Sequence, residues 1–476
     1  MDSISGTDNI SGTDGNQLFG VEQHGIDHIP DSARTGTYRD IFGGYFGANV
    51  IFTYVVLGSV VGSLGLPLWQ ALLVVVAGNV LYVLVGLTAL AGPRAGTGMM
   101  TVSRAAFGVV GNRFPATLSW LTATGWTAVN LVIGTLSLVA LLNKAGIAES
   151  KVTTASSLVA VTAVTVVIAL LGHATILRVN SALAVLLGIS TAVVAVYVLP
   201  AVDAPDIGLG SSDIHWGAIM LGMTVIGAAP MSYVNTGADF SRYLPERAST
   251  TRIVASTALG GYVPSVLIGC VGVFAATAAD MTDPIDGLST LLPAAVFTVY
   301  LAVVVGGTIT NNFLNTYSAG MSLLATGLPL RRTIAIAFTT VLAFVAAAYV
   351  LFFEDLTDSL TAFLTLMVIW SSAWCGVFLA DMALRRLHYD VIALHDSNAG
   401  IYWYRAGWNL KALTWLLIGA VASAATAQSA LFTGPLVPYI GHGDLSIPTG
   451  LLVAGMGYFV HTRSTHTATS TRPSTH

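Results

Sequence analysis

The chain has 476 residues, 54% of them hydrophobic and only 9% charged, with a mean hydropathy of +0.77 and a formal net charge of −4. Soluble domains carry roughly 25% charged residues, so the composition excludes an ordinary soluble protein. The sequence has no basic stripe with interleaved aromatics, which argues against nucleic acid as a partner.

The polar stretch 1–37 lacks an apolar core and so reads as a cytoplasmic segment rather than a cleavable signal peptide. Its first twenty residues are rich in Ser, Thr, Gly, Asp and Asn and are expected to be disordered. Apolar runs of bilayer length then follow one another. They lie at roughly 41–62, 68–91, 115–142, 153–172, 180–200, 214–238, 252–277, 293–317, 332–353, 359–382, 410–430 and 446–461. Continuous runs predict helices, because barrel strands would alternate over about 10 residues. The fold class is therefore all-α integral membrane, with twelve transmembrane helices. Alanine, valine and glycine dominate these spans, and small residues allow close helix packing. Cys270 and Cys375 both fall inside spans and suggest neither a disulfide framework nor a metal site. The Thr/Ser/His-rich tail from 463 to 476 is expected to be disordered.

Charge placement sets the orientation. With the N-terminus inside, 17 of the 19 lysines and arginines fall on the cytoplasmic side, leaving Lys144 and Lys151 outside. That asymmetry is a positive-inside signal, and it places both ends in the cytoplasm of a plasma (inner) membrane protein. The outer loops are acidic, with Asp203, Asp206 and Asp213, then Asp280, Asp283 and Asp286, then Glu354, Asp355 and Asp358.

Two spans are interrupted at matching positions. Span 1 carries Gly43, Gly44 and Gly47, and span 6 carries Gly227-Ala228-Ala229-Pro230 followed by Asn235-Thr236-Gly237. Glycine- or proline-interrupted helices in corresponding places of two halves point to a transporter site at an internal repeat. Five helices per half is an odd number, so the second half must insert upside down. The core then runs over 38–386, and 387–462 holds a cytoplasmic loop with two extra helices.

Polar patches lie inside three spans: Gly47-Ala48-Asn49, Trp126-Thr127-Ala128-Val129-Asn130, and Thr310-Asn311-Asn312-Phe313-Leu314-Asn315. Amides at bilayer depth are costly unless they face a cavity, a partner or a ligand. Trp126 and Asn130, four residues apart, share one helical face. An indole face suits a planar ring, and the Asn130 amide offers both a donor and an acceptor. The competing reading for these amides is hydrogen bonding between packed helices. Asp239 and Arg242 at the end of span 6 read as a cytoplasmic ion pair or gate, and Asp40 at the start of span 1 has the same status.

Five stretches in this order resemble the nucleobase–cation symporter family of purine and cytosine permeases and hydantoin and allantoin transporters. They are Gly20-Val21-Glu22-Gln23-His24-Gly25-Ile26-Asp27-His28-Ile29-Pro30 with Arg34, then Phe46-Gly47-Ala48-Asn49, then Gly125-Trp126 with Asn130. The last two are Ala238-Asp239-Phe240-Ser241-Arg242-Tyr243-Leu244-Pro245 and Asn311-Asn312 with Asn315-Thr316-Tyr317-Ser318. The resemblance runs from about Val21 to Arg386. It implies a leucine-transporter-type fold with a 5+5 inverted repeat and two extra C-terminal helices.

The resemblance also makes Trp126 the surface on which a flat heterocycle stacks and Asn312 the first amide contact in span 8, with Asn311 and Asn315 beside it. Thr53 matches a small hydroxyl near the substrate. Tyr233 falls where some relatives place a second aromatic wall, while others have it near the position of Pro230. Sodium-coupled relatives would use the carbonyls of Ala48 and Ile51 and the hydroxyl of Thr310. The span 8 stretch Gly306, Gly307, Ile309, Thr310 and Asn311 keeps few oxygen ligands, which leaves H+ as well as Na+ open as the coupling cation.

The expected function is alternating-access import of a cytosine- or purine-type nucleobase by cation symport, with no cofactor. Hydantoin, allantoin or a vitamin precursor such as a hydroxymethylpyrimidine is an alternative ligand on the same scaffold. An enzyme would need a catalytic constellation and a channel a repeated pore element, and neither is visible.

Overall fold

With no water in a bilayer core, a crossing segment must satisfy its own backbone hydrogen bonds, and an α-helix does so within itself. The computed structural model describes residues 27–170, 173–201, 213–328, 331–396, 400–429 and 432–470, and all the regular elements among them are helical. In chain order the helices are α1 (Tyr38–Asn49), α2 (Thr53–Gly62), α3 (Leu68–Asn79), α4 (Tyr82–Ala89) and the short α5 (Ala91–Ala95), α6 (Met99–Val102) and α7 (Arg104–Phe107). Then come α8 (Arg113–Lys144), α9 (Lys151–Leu170), α10 (His173–Val198), α11 (Trp216–Tyr233), α12 (Gly237–Ser241), α13 (Thr250–Ala278) and α14 (Pro284–Leu291). The last are α15 (Ala294–Ala325), α16 (Arg332–Phe353), α17 (Leu356–Arg385), α18 (Val391–His395), α19 (Leu410–Ala425) and α20 (Ser446–Ser470). A helix occupies each of the twelve expected stretches. Among the described residues, eight helices are long and apolar enough to cross a membrane, or nine if the bent pair α1–α2 is one span.

The first break sits later than its glycines suggested, and the second falls at the Asn235-Thr236-Gly237 part of the expected interruption. α1 runs through Gly43, Gly44 and Gly47 and ends at Asn49, and the chain turns by 61° before α2 begins at Thr53. α11 likewise passes through Gly227 and Pro230 and stops at Tyr233, where a 3₁₀ turn over Val234–Thr236 leads into α12. A glycine costs a helix only about 1 kcal/mol; Gly227 and Gly237 allow close packing, whereas a Cβ at Gly43 would meet nothing within 4 Å. A Cβ at Gly227 would lie 2.7 Å from Leu81 Cδ1, and one at Gly237 would lie 3.0 Å from the Ala89 nitrogen. The C-terminal tail differs too. Helix α20 continues past 463 to Ser470, and its one proline, Pro448, lies in the first turn where it is tolerated. The residues 1–26 and 471–476, and the acids Asp203 and Asp206, lie outside the described residues. Two of the acids thought to colour the outer loops have local work: the Asp283 carboxylate accepts from the Ile285 and Asp286 nitrogens at the start of α14, and the Asp355 carboxylate from the Thr357 and Asp358 nitrogens at the start of α17.

The helices sort into three packing groups. In the first, α13 lies against α1, α2, α3 and α4, and α11 lies on α3. In the second, α8 packs along α15 and α16, with α9 and α10 alongside. In the third, α17, α19 and α20 pack on one another, and α17 leans on α11. Buried polar ties hold the third group to the first. The buried Asp444 carboxylate accepts from Thr224 Oγ1 at 3.0 Å, from the Ser446 nitrogen at 2.8 Å and from the Gln428 nitrogen at 2.7 Å. Trp374 Nε1 donates to Ser103 Oγ at 3.1 Å.

At the other end of α17, Asp381 is 3% exposed and pairs with Arg385 at 2.6 Å, while Tyr458 of α20 donates to its second oxygen at 2.9 Å. Arg385 also donates to the Ala105 carbonyl at 2.8 Å. Removing one partner of a buried pair leaves an uncompensated charge, at a cost of about 3–5 kcal/mol. Arg385→Leu should therefore lower the melting temperature of the purified protein sharply. The double variant Asp381→Leu/Arg385→Leu should recover part of the loss, and thermal unfolding of all three forms checks both expectations.

Candidate functional site

The breaks of α1–α2 and α11–α12 face α8 and α15 across a cavity of about 50 Å3. That is room for roughly four waters at about 10–15 Å3 each. The first break contributes Ala48, Ile51, Thr53, Tyr54 and Leu57 to its wall. The second contributes Ala229, Ser232, Tyr233, Asn235, Thr236 and Phe240. From α8 come Ser119, Thr122, Ala123 and Trp126, and from α15 Asn311, Asn315 and Ser318. The lining is mostly apolar with a few converging polar groups, the usual character of a small-ligand site.

Trp126 is held at right angles to the Phe363 ring of α17, with centroids 5.5 Å apart and planes at 87°. Its indole nitrogen is buried and has no hydrogen-bond partner. Tyr233 stands on the second break. Its ring meets Tyr45 edge-on at 5.9 Å, and its hydroxyl donates to the Ala48 carbonyl at 3.4 Å. The cavity wall therefore has an aromatic group on each of two helices. Thr53 is 2% exposed and its hydroxyl is unpartnered.

Among the three neighbouring asparagines of α15, Asn311 and Asn315 line the cavity and Asn312 does not. One residue turns a helix by about 100°, so the choice of face excludes one of the two adjacent amides. Asn312 is fully buried, and neither of its side-chain polar atoms has a partner. Asn130 also stands behind the wall, where its amide donates to Asn311 Oδ1 at 2.9 Å. Asn315 donates to the same oxygen at 3.3 Å, and Asn311 Nδ2 donates to the Ala48 carbonyl at 3.1 Å. Asn49 also turns away. Its amide donates to the Tyr45 carbonyl at 2.7 Å, and its oxygen accepts from the hydroxyls of Tyr54 (2.6 Å) and Tyr82.

The oxygens expected to hold a sodium ion all take part in hydrogen bonds within the protein, the two carbonyls as acceptors and the Thr310 hydroxyl as a donor that keeps its oxygen lone pairs. The Ala48 carbonyl accepts from Asn311 and Tyr233, and the Ile51 carbonyl from the Tyr54 nitrogen at 3.3 Å. Thr310 donates its hydroxyl to the carbonyls of Gly306 and Gly307, 3.2 and 3.1 Å away. Asp239 Oδ1 accepts from the Met99 nitrogen at 2.8 Å. Arg242 is fully buried, stacked on the Tyr243 ring with its carbon 5.0 Å from the centroid. Asp40 belongs to a capping box with Thr37 at the start of α1.

Sequence reasoning passed over Asn235, whose buried amide nitrogen is unpartnered and which lines the cavity. Its signal was its place in the second break. Thr122 was missed as well; it accepts from Trp370 Nε1 at 3.1 Å, and a lone threonine on an apolar helix carries no mark of its role.

YxlA of Bacillus subtilis, which bears the name of a purine-cytosine permease, is 24% identical over 451 residues, 92% of this chain and 95% of its own. The purine-cytosine permease fcyB of Emericella nidulans is 28% identical over 271 residues, 55% of this chain and 50% of its own. The structure of Mhp1, a nucleobase-cation-symport-1 family transporter, in a closed conformation with bromovinylhydantoin bound, superposes with a TM-score of 0.75 at 18% identity. The match covers 94% of this chain and 96% of Mhp1 and shows a common fold. The family profile of permeases for cytosine/purines, uracil, thiamine and allantoin matches residues 28–441. The chain is therefore a membrane transporter and not an enzyme, and it belongs to the nucleobase–cation symporter family of cytosine, purine, uracil, thiamine and allantoin permeases.

Proposed function

We propose that this transporter imports a cytosine- or purine-type nucleobase by cation symport. The observation that carries the reading is the cavity between the two helix breaks, with the Trp126 indole on one wall and the amides of Asn311 and Asn315 on another. A planar ring stacks on the indole, and its alternating N–H and C=O edge meets side chains that both donate and accept. Tyr233 supplies the second aromatic contact and Thr53 a free hydroxyl. Asn130 acts through Asn311, and Asn312 lies off the lining face. Hydantoin, allantoin and vitamin precursors present the same kind of edge and are the alternative ligands.

The reading extends to the architecture. Twelve crossings in a plasma (inner) membrane, with both ends cytoplasmic, would comprise two five-helix repeats of opposite orientation over 38–386. α19 and α20 would then lie outside the repeat. Access would alternate as the group of α1–α4 and α11–α13 rocks against the group built on α8 and α15. Asp239, tied to Met99, and the buried Arg242 would close the cytoplasmic end. The coupling ion is a proton in this reading, because the α15 stretch Gly306, Gly307, Ile309, Thr310 and Asn311 offers few side-chain oxygens for a sodium ion.

Uptake of radiolabelled cytosine in cells lacking their own permeases tests the substrate. Saturable uptake is expected, with competition from unlabelled adenine, hypoxanthine, uracil, allantoin or hydantoin naming the preferred ligand. Base–aromatic stacking is worth about 1–3 kcal/mol, so Trp126→Ala should weaken apparent affinity by at least roughly five-fold. No saturable uptake or competition by any of these compounds, with the protein well expressed, would sink the assignment. In the same assay Asn315→Ala should raise KM by about five-fold, the worth of one neutral hydrogen bond. Asn312→Leu should leave KM nearly unchanged, and an equal effect of the two substitutions would reverse their roles. Replacing sodium by choline should leave uptake intact while a protonophore abolishes it; sodium-dependent, protonophore-resistant uptake would overturn the proton reading.

A further inference from the structure

Asn311 joins two helices that belong to different packing groups. A carbonyl can only accept, so the bond to Ala48 fixes which end of the Asn311 amide is nitrogen. Its oxygen then faces Asn130 and Asn315, and both donate to it. Ala48 is the penultimate residue of α1, and its carbonyl is one of the last four that a helix leaves unpaired. The bond therefore fastens α15 to the broken end of α1. It also lies on the cavity wall, since Ala48 and Asn311 both line it.

We propose that the Asn311–Ala48 hydrogen bond is a latch that the transported molecule opens. A flat ligand with a carbonyl beside an N–H presents both groups the latch needs. Its carbonyl accepts from Asn311 Nδ2, and its N–H donates to the Ala48 carbonyl. The ligand thereby takes over both ends of the bond between the two packing groups, and no buried polar atom is left unpaired. In the empty protein Tyr233 still donates to the Ala48 carbonyl, but the Asn311 nitrogen loses its acceptor when α1 leaves α15, and that loss is the barrier the ligand removes. Reorientation of the empty carrier is then slower than that of the loaded carrier. Asn130 serves as a positioning residue, because its bond to Oδ1 turns the Asn311 nitrogen toward Ala48. The proposal rests on the reading of the cavity as a nucleobase site.

The test compares exchange with net uptake in proteoliposomes. Labelled cytosine enters vesicles either empty or preloaded with unlabelled cytosine, at saturating concentration so that changes in KM drop out. Exchange should run about five-fold faster than net uptake in the wild type, the factor carried by one neutral hydrogen bond. Asn130→Ala removes the bond that orients Asn311 and should bring the ratio down toward one. Equal rates in the wild type overturn the latch without recourse to any variant. A raised ratio that Asn130→Ala and Asn130→Asp both leave unchanged overturns the role of Asn130 and Asn311 in it. If neither cytosine nor unlabelled hypoxanthine, allantoin or hydantoin shows transport or binding, the substrate reading itself fails, and the latch falls with it.

Discussion

Backbone groups released where a membrane helix breaks must find partners, and most of this site follows from how they find them. α1 and α11 both stop in the middle of a span. Each leaves carbonyls behind and N–H groups ahead in a region without bulk water, where an unpaired group costs several kcal/mol. Side chains meet much of this need. Asn49 folds back on the Tyr45 carbonyl, and Asn311 and Tyr233 meet the Ala48 carbonyl. Thr236 returns its hydroxyl to the Tyr233 carbonyl at 3.1 Å. The amides that look from the sequence like ligand contacts are thus divided between binding a guest and supporting the host.

That division explains what the sequence could and could not tell. Hydropathy located the helices, because burial in lipid leaves little freedom in composition over about 20 residues. Trp126 and Asn130 lie one turn apart on α8, yet only Trp126 lines the cavity. Asn130 is one turn further along, where α15 crosses close enough to take its amide. Among Asn311, Asn312 and Asn315, the lining face depends on the rotation of α15 about its axis. Packing against α8, α10 and α16 sets that rotation, and no local signal in the sequence reports it. Gly43, Gly44 and Gly47 were read as the first break, yet α1 continues through them to Asn49, while Gly237 does stand at the second.

The tyrosines give the first packing group its internal stiffness. Tyr54 and Tyr82 come from different helices and meet at the Asn49 oxygen, with their own hydroxyl oxygens 2.5 Å apart. Tyr82 also packs on Tyr233, ring centroids 6.2 Å apart, and Tyr233 touches Tyr45, which touches Phe240. One aromatic and hydroxyl chain therefore runs from the end of α1 through α4 to both sides of the second break. Both breaks share a common support, so a displacement of one is felt by the other.

The Asp444 tether has a consequence for how the molecule is made. Thr224 on α11 waits for a partner 220 residues further along the chain. At about 5–20 residues per second, roughly 10–45 s of synthesis separates the two. During that interval the nascent protein holds α11, the first part of its second broken helix, without the buried carboxylate that anchors it in the finished structure. The tether forms only when the final hairpin has emerged and docked, so α19 and α20 complete the packing around α11 after every residue that lines the cavity has been made.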